Sequence, residues 1–295
     1  MKQFSLDIAG KTFTFTFNDL ASQADGSVLA QCGETIVLAT ALQEQRVKSG
    51  ASFFPLMVNY DERFYATGKI LGSRFMRREG RPTDDAVLTG RMIDRSLRPL
   101  FPKKEKRDTQ VVTTVLSFDR ENDPDVLSLF AASLALSVSD IRFDGPLGVV
   151  RIGRMDGKFT VNPTYKEREA CDVDFVIAGK RDLVTMIDGE AKEISEEDGV
   201  ALLKEAFGWF EKMIDFQEMI VKEHGKQKRE HLPVADDSSL VRLVKDFCGA
   251  NLPKTFSQKS DKDAKEALRT LRGQFQDHVA KEMGAEYLGL SLIHI

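Results

Sequence analysis

Histidine is scarce in this chain of 295 residues, and it is absent from the whole front of it. The four histidines are His224, His231, His278 and His294, so no imidazole is available for acid–base or nucleophilic chemistry before residue 224. No GxxxxGKS/T phosphate loop occurs, and no GxGxxG follows a strand, which excludes the common nucleoside-triphosphate and dinucleotide cradles and disfavours a small-molecule kinase. Cysteine is limited to Cys32, Cys171 and Cys248, an odd number, far apart and without metal-ligand spacing. They read as reduced, mostly buried thiols of a cytoplasmic protein. No apolar run approaches a membrane span, and MKQFSLDIAGKTFTF lacks the uninterrupted apolar centre of a signal peptide. An excess of positive charge is missing too: the net charge is −4 and the pI about 5.7. The chain is therefore no generic polyanion binder, and any nucleic-acid surface on it must be local.

One segment supplies that local charge. Between Arg74 and Arg98 lie seven arginines, at 74, 77, 78, 81, 91, 95 and 98. Cations this dense repel one another unless an anion sits among them. Gly68, Gly72 and Gly80 loosen the first half, and Phe64, Tyr65 and Phe75 are interleaved with the cations. Arginines that track phosphates and rings that stack on bases suit single-stranded nucleic acid. The second half is expected to be a helix capped by Thr83, with Asp84 and Asp85 at its positive end and Pro99 stopping it near Leu97. Ala86, Gly90, Ile93 and Leu97 fall at core spacing. Arg91, Arg95 and Arg98 fall on the neighbouring stripe, so they should be partly buried, with a carboxylate or a phosphate between Arg91 and Arg95 and at least one of the three paired to an acid.

The rest reads as strand-rich units followed by helices, an α+β plan. Hairpins are expected at 3–17, at 27–42 about Gly33-Glu34, at 147–161 about Met155-Asp156-Gly157, and at 173–188. Single strands are expected at 53–60 and 110–118, and helices at 83–97, 126–137 and 196–223, the last capped by Ser195 with Asp198. HGKQKREHLPVADD resembles a linker, and helices at 240–248 and 261–283 follow it, with acids and bases interleaved as on a solvated surface. Asp172 with Asp174, and Asp188 with Glu190, share strand faces and could in principle bind a divalent ion, though solvated strand-edge acids are the better reading.

Several motifs together resemble polynucleotide phosphorylase (polyribonucleotide nucleotidyltransferase). They are ASQADGSVLAQCGETIVLATA at 21–41, NYDERFYATGKILGSRFMRREGRP at 59–82, GRMIDRSLRPLFP at 90–102 and SLALSVSDIRFDGPLGVVRIG at 133–153. The resemblance runs from residue 1 to about 288. It implies a ribonuclease-PH-like core of the ribosomal protein S5 domain 2-like type, with halves at 1–145 and 146–225. A linker at 226–237, an all-helical domain at 238–288 and a truncated or non-native tail at 289–295 would follow. It implies a homotrimer around an RNA channel that degrades single-stranded RNA from the 3′ end in mRNA decay. Inorganic phosphate would be consumed and nucleoside diphosphates released, with no membrane partner. Mg2+ is implied for the full-length protein, at a site outside this chain. The RNA contacts it implies here are Phe75, Met76, Arg77, Arg78, Arg81, Arg91, Arg95 and Arg98, and no catalytic or metal-binding residue. Met76 stands where the family often has a second phenylalanine, which weakens stacking there.

One departure bears on chemistry. Where an active core of the family has a serine-rich phosphate loop, this chain has Glu121-Asn122-Asp123-Pro124-Asp125. Carboxylates there repel a phosphate dianion, and hydroxyl donors are missing. The chain is thus expected to be the non-catalytic half of a phosphorolytic exoribonuclease, inactive alone. The alternative is a stand-alone RNA-binding or scaffold protein of the same fold.

Overall fold

Strict alternation builds the first sheet: in KTFTFTF the rings of Phe13 and Phe15 are buried and the threonines take the other face. The computed structural model describes residues 2–47, 53–70, 72, 75, 80–102, 105–230, 238–256 and 260–282. They fall into two units, Met1–Val47 with Phe54–Glu230, and Lys48–Phe53 with His231–Ile295.

In the first unit, β1 (Lys2–Ile8), β2 (Lys11–Phe17), β3 (Gly26–Cys32), β4 (Thr35–Val47), β5 (Leu56–Glu62) and β6 (Arg107–Ser117) form a six-stranded sheet in the order β1-β2-β3-β4-β6-β5. Every pairing is antiparallel except β5 with β6. A parallel pair needs a crossover, and α1 (Asp84–Leu97) supplies it, which places the arginine helix beside the edge strand β5. β5 starts three residues later than expected because Pro55, with no N–H to give, precedes it; its carbonyl accepts from Thr109.

The second sheet has the order β10-β9-β7-β8, from β7 (Gly148–Met155), β8 (Lys158–Val161), β9 (Val173–Gly179) and β10 (Val184–Ala191). Between β8 and β9 lies the single turn α3 (Tyr165–Arg168), closed by a Thr164–Glu167 capping box. Two helices tie the sheets into one hydrophobic core. α2 (Pro124–Val138) is apolar all round and buried along almost its whole length. It lies so close to β3 that a Cβ on Gly26 would collide with the Ala135 carbonyl oxygen. α4 (Glu196–His224) is amphipathic, and its Gln217 closes a buried polar triangle. Ser133 Oγ donates to Gln217 Oε1 (2.8 Å), Gln217 Nε2 donates to the Leu147 carbonyl (2.7 Å), and Leu147 N–H donates to Ser133 Oγ (3.0 Å). The triangle satisfies each polar group where α2, α4 and the start of β7 meet.

The expected linker starts later than residue 226. Lys228 Nζ donates to the carbonyls of Leu136, Ser137 and Ser139 at 2.8–2.9 Å, a cation on the open C-terminal end of α2. Arg229 pairs with Asp25 and Asp140. Residues 226–229 are thus bound to the first unit. Residues 231–237 and the 289–295 tail lie outside the described residues.

The second unit contains α5 (Ser238–Phe256) and α6 (Asp261–Glu282). Val244, Phe275 and Val279 form its core, and Phe247 stacks on His278 with centroids 5.3 Å apart. Among the described residues no helix is long and apolar enough to cross a membrane.

Candidate nucleic-acid interface

The chain leaves β5 through a single 3-10 turn at Phe64–Thr67, which Gly68 ends in the left-handed region (φ 71°). Gly72 is left-handed as well, at φ 69°. These two glycines are demanded by backbone geometry, whatever mobility they also confer. Phe75 is 90% exposed and Arg81 is exposed. Arg74, Met76, Arg77 and Arg78 lie outside the described residues, so the structure places only part of the expected loop.

Helix α1 follows its sequence closely. Thr83 Oγ1 accepts from Ala86 N–H at 3.1 Å, and Asp84 and Asp85 occupy the first turn. Ala86, Gly90, Met92, Ile93 and Leu97 are buried, while Leu88 is exposed. The three arginines of the stripe separate. Arg98 lies against protein: it grips Asp94 with Nε and Nη2, both at 2.6 Å, and reaches the Phe54 and Leu56 carbonyls at 3.1 Å. Arg91 and Arg95, expected to be partly buried, are exposed, and no ion pair engages either among the described residues. Both line a cleft of about 630 Å³ between β5 and α1, with Asn59, Asp61, Pro82 and Val87. The acid that could have sat between them, Asp94, is turned to Arg98 by the i, i+4 geometry of the helix.

The acidic loop before α2 is an ordered structure. Asp119 accepts from the N–H groups of Glu34, Glu121 and Asn122 and from Asn122 Nδ2. Burial alone would raise its pKa, but these donors prevail and bring it down to about 2. Gly33 is required beside it, because a Cβ there would press on Asn122 and Asp119.

Beyond that loop four side chains close a ring of alternating charge. Asp123 Oδ2 lies 2.6 Å from Arg151 Nε and 3.2 Å from Arg168 Nη1. Asp174 takes the same two arginines, Arg151 Nη1 at 2.8 Å and Arg168 Nε at 2.7 Å. Asp123 also caps α2, its other oxygen accepting from Asp125 N–H at 3.0 Å. Asp123 and Arg151 are more than nine-tenths buried. Burial opposes the Arg151 charge, but Asp123 and Asp174 outweigh it and hold the guanidinium pKa above its usual value. Arg168 lies over the Tyr165 ring at 5.0 Å.

Asp125 stands next to this ring, 3.9 Å from Arg151 Nη2. Burial and then the Asp123 charge push its carboxyl up to about 7, with Arg151 pulling the other way. The Tyr60 hydroxyl is buried near it, and burial followed by the Asp125 charge raises that phenol too.

This geometry answers the expectation of a possible metal at Asp172 and Asp174. Both carboxylates face arginines: Asp172 takes Arg154 at 2.7 Å, and Asp174 belongs to the ring. Asp174 is mostly buried within the ring, whereas the Asp172 side chain stays 41% exposed beside Arg154. Among the described residues no group of three or more His, Cys, Asp or Glu is placed to hold a metal ion.

Two models of the 3′ exoribonuclease family match this chain, domain 1 over residues 9–142 and domain 2 over residues 145–208. The chain belongs to the 3′ exoribonuclease family. Among curated relatives, the polyribonucleotide nucleotidyltransferase of Heliobacterium modesticaldum is 44% identical over 267 residues, 90% of this chain and 37% of the relative. That of Thermotoga petrophila is 40% identical over 284 residues, 96% of this chain and 40% of the relative. The chain thus spans about two fifths of the length of such relatives. The solved structure of rice (Oryza sativa) Rrp46 matches with a TM-score of 0.56 at 17% identity, over 71% of this chain and 94% of that one, and this likeness concerns the fold alone.

Within this exoribonuclease fold, domain 1 contributes Asp123 and Asp125 and domain 2 contributes Arg151, Arg168 and Asp174, so the ring joins the two matched domains. Sequence reasoning marked the acids but missed the arginines. The available signal was RIGR in β7 opposite DVDF at the start of β9, whose antiparallel register sets Arg154 against Val173, with Gly153 beside Asp174.

The position of Asp125 sets a pH dependence. Its folded pKa, about 7, exceeds the unfolded value of about 4, so its contribution to stability is full below pH 4 and lost as pH rises through 7. Asp125→Asn, neutral throughout, should melt higher than the parent at pH 8, and the difference should shrink towards pH 5. A melting difference that stays flat or grows on acidification contradicts this assignment.

Proposed function

We propose that this chain forms the RNA-guiding, non-phosphorolytic part of a polyribonucleotide nucleotidyltransferase, an enzyme that shortens RNA from its 3′ end with inorganic phosphate and releases nucleoside diphosphates. The observation that carries the reading is the division of charge in the first unit. At the loop where an active family core would bind phosphate, the anion place is taken by Asp123, held by two arginines. On α1, Arg91 and Arg95 stay exposed in a cleft, beside a segment rich in arginine and aromatic residues. Cations of this kind draw in a polyanion, and Phe75, Met76, Arg77, Arg78 and Arg81 would extend the contact along a single strand. Phosphorolysis, Mg2+ and assembly into a trimer around the RNA belong to the longer enzyme in this reading.

Two measurements test it. The purified chain, given single-stranded RNA, Mg2+ and phosphate, should release no nucleoside diphosphate; release that copurifies with the chain through further steps overturns the non-phosphorolytic part. Arg91→Ala with Arg95→Ala should leave the melting temperature unchanged and weaken oligoadenylate binding. The slope of log K against log salt should fall by about 1.4 for two lost phosphate contacts on a single strand. Arg98→Ala should do the reverse, lowering the melting temperature because Asp94 and two carbonyls lose their donor. Equal loss of RNA binding from both variants, with no loss of stability, would return Arg98 to the RNA-contacting stripe.

A further inference from the structure

Three donors from three elements converge on the Asp123 side chain. Arg151 Nε, on β7, lies 2.6 Å from Oδ2. Arg168 Nη1, on α3, donates to Oδ2 at 3.2 Å, and Asp125 N–H, in the first turn of α2, donates to Oδ1 at 3.0 Å. Asp123 itself caps α2, a helix of 15 residues whose N-terminal end favours an anion. The carboxylate thus sits where a free anion would sit if two guanidinium groups faced a helix N-terminus.

The match is incomplete at one atom. Only 8% of the Arg151 side chain is exposed, yet its buried Nε–H has no hydrogen-bond partner; the Asp123 oxygen is close to it but out of line. A carboxylate tied to the backbone must serve the Asp125 N–H and both guanidinium groups from one fixed position. An untethered oxyanion is free to turn until Nε is served as well. The site also has a way in, since the side chains of Arg168 and Asp125 are each 24% exposed. Without Asp123, two guanidinium groups would share a single ring acid, Asp174, and a buried cation would lack its counter-charge.

We infer that Arg151, Arg168 and the N-terminus of α2 form a receptor for one small oxyanion, of the carboxylate or phosphate type, and that Asp123 is its built-in ligand. In the parent chain the tethered carboxylate keeps free anions out, because its own binding is intramolecular. The joint between the two matched domains is therefore closed without a dissociable ion. Neither RNA nor phosphorolysis enters this assignment, so an anion response, or its absence, leaves the proposed function untouched.

Asp123→Gly tests it in the whole chain. The substitution vacates a group the size of an acetate ion, and glycine still serves as an N-cap. Unfolding in urea is followed by the fluorescence of Trp209, on α4 of the same unit, with acetate, phosphate or chloride added at constant ionic strength. Once acetate or phosphate exceeds its Kd, each further tenfold rise should raise the folding constant of Asp123→Gly about tenfold, and chloride should not. The parent, and Asp123→Asn, whose side chain still fills the site, should show no such dependence. Adding Arg168→Met to Asp123→Gly should weaken the response. If Asp123→Gly is unfolded without added anion, acetate or phosphate should restore the folded Trp209 signal, and Asp123→Ser, which keeps a hydroxyl cap, gives the same test from a more stable start. A response to acetate or to phosphate, with chloride inert, supports the receptor, and the stronger of the two names the better-fitting oxyanion. An equal response to chloride, a response untouched by Arg168→Met, or no response in either variant overturns it.

Discussion

The Asp123 carboxylate is shared between Arg151 and Arg168, and with Asp174 the four groups close a ring that no water-exposed surface ion pair could match. Its members come from the start of α2, from β7, from α3 and from the start of β9, so the ring fixes where the first half of the core meets the second. The same carboxylate caps α2, the helix on which both sheets pack. Buried ions cost desolvation, and attraction repays that cost only when every charge has partners in good geometry. Here each ring acid touches both arginines; Arg151 Nη1 and both Arg168 contacts are hydrogen bonds, while Arg151 Nε lies 2.6 Å from Asp123 as a charge contact without hydrogen-bond geometry. The cost of such a ring appears when one member is removed, because the others stay buried without a counter-charge; for a buried pair that loss is about 3–5 kcal/mol.

Charge is thus used in two opposed ways within one unit. In the ring, acids and arginines are matched, Asp125 beside it is an acid in excess, and burial with its acidic neighbour lets it keep a proton near neutral pH. On α1 the matching is deliberately incomplete in its geometry: Arg98 removes Asp94 from the reach of Arg91 and Arg95. A chain with a net charge of −4 can present a local cationic cleft only if its acids are held elsewhere. The ring and the Arg98–Asp94 pair are both instances of that rule.

Much of the fold was legible because local signals agreed with tertiary ones. KTFTFTF, the Gly33 turn and the Thr83 cap each specify their element from a few adjacent residues. The core stripe of α1 was legible for the same reason, from helical spacing alone. The fate of each arginine was not. Arg91, Arg95 and Arg98 share a stripe, and only the three-dimensional position of β5 brings the Phe54 and Leu56 carbonyls to Arg98. Nor could spacing reveal that the acids near 123 and 174 serve the same two arginines, since Asp123 lies 45 residues from Arg168 and Asp174 lies 23 from Arg151, and only Arg168 and Asp174, six apart, are near in the chain. Residues 226–229 have the composition of a linker, yet Lys228 is bound by helix-end carbonyls and Arg229 by Asp25 and Asp140, partners that sequence does not display.

Asp123 and Arg151 stabilise the first unit as a pair. A double-mutant cycle measures this directly, using Asp123→Asn, which can still cap α2, Arg151→Met, and both together. Trp209, the one tryptophan of the chain, lies on α4 in the first unit, so its fluorescence in urea follows that unit alone. Each single variant should be strongly destabilised and the double variant far less than additive, with a coupling of about 2 kcal/mol or more. Additivity to within about 0.5 kcal/mol would contradict it, because the two groups would then act independently and the ring would not be what joins the two halves of the core.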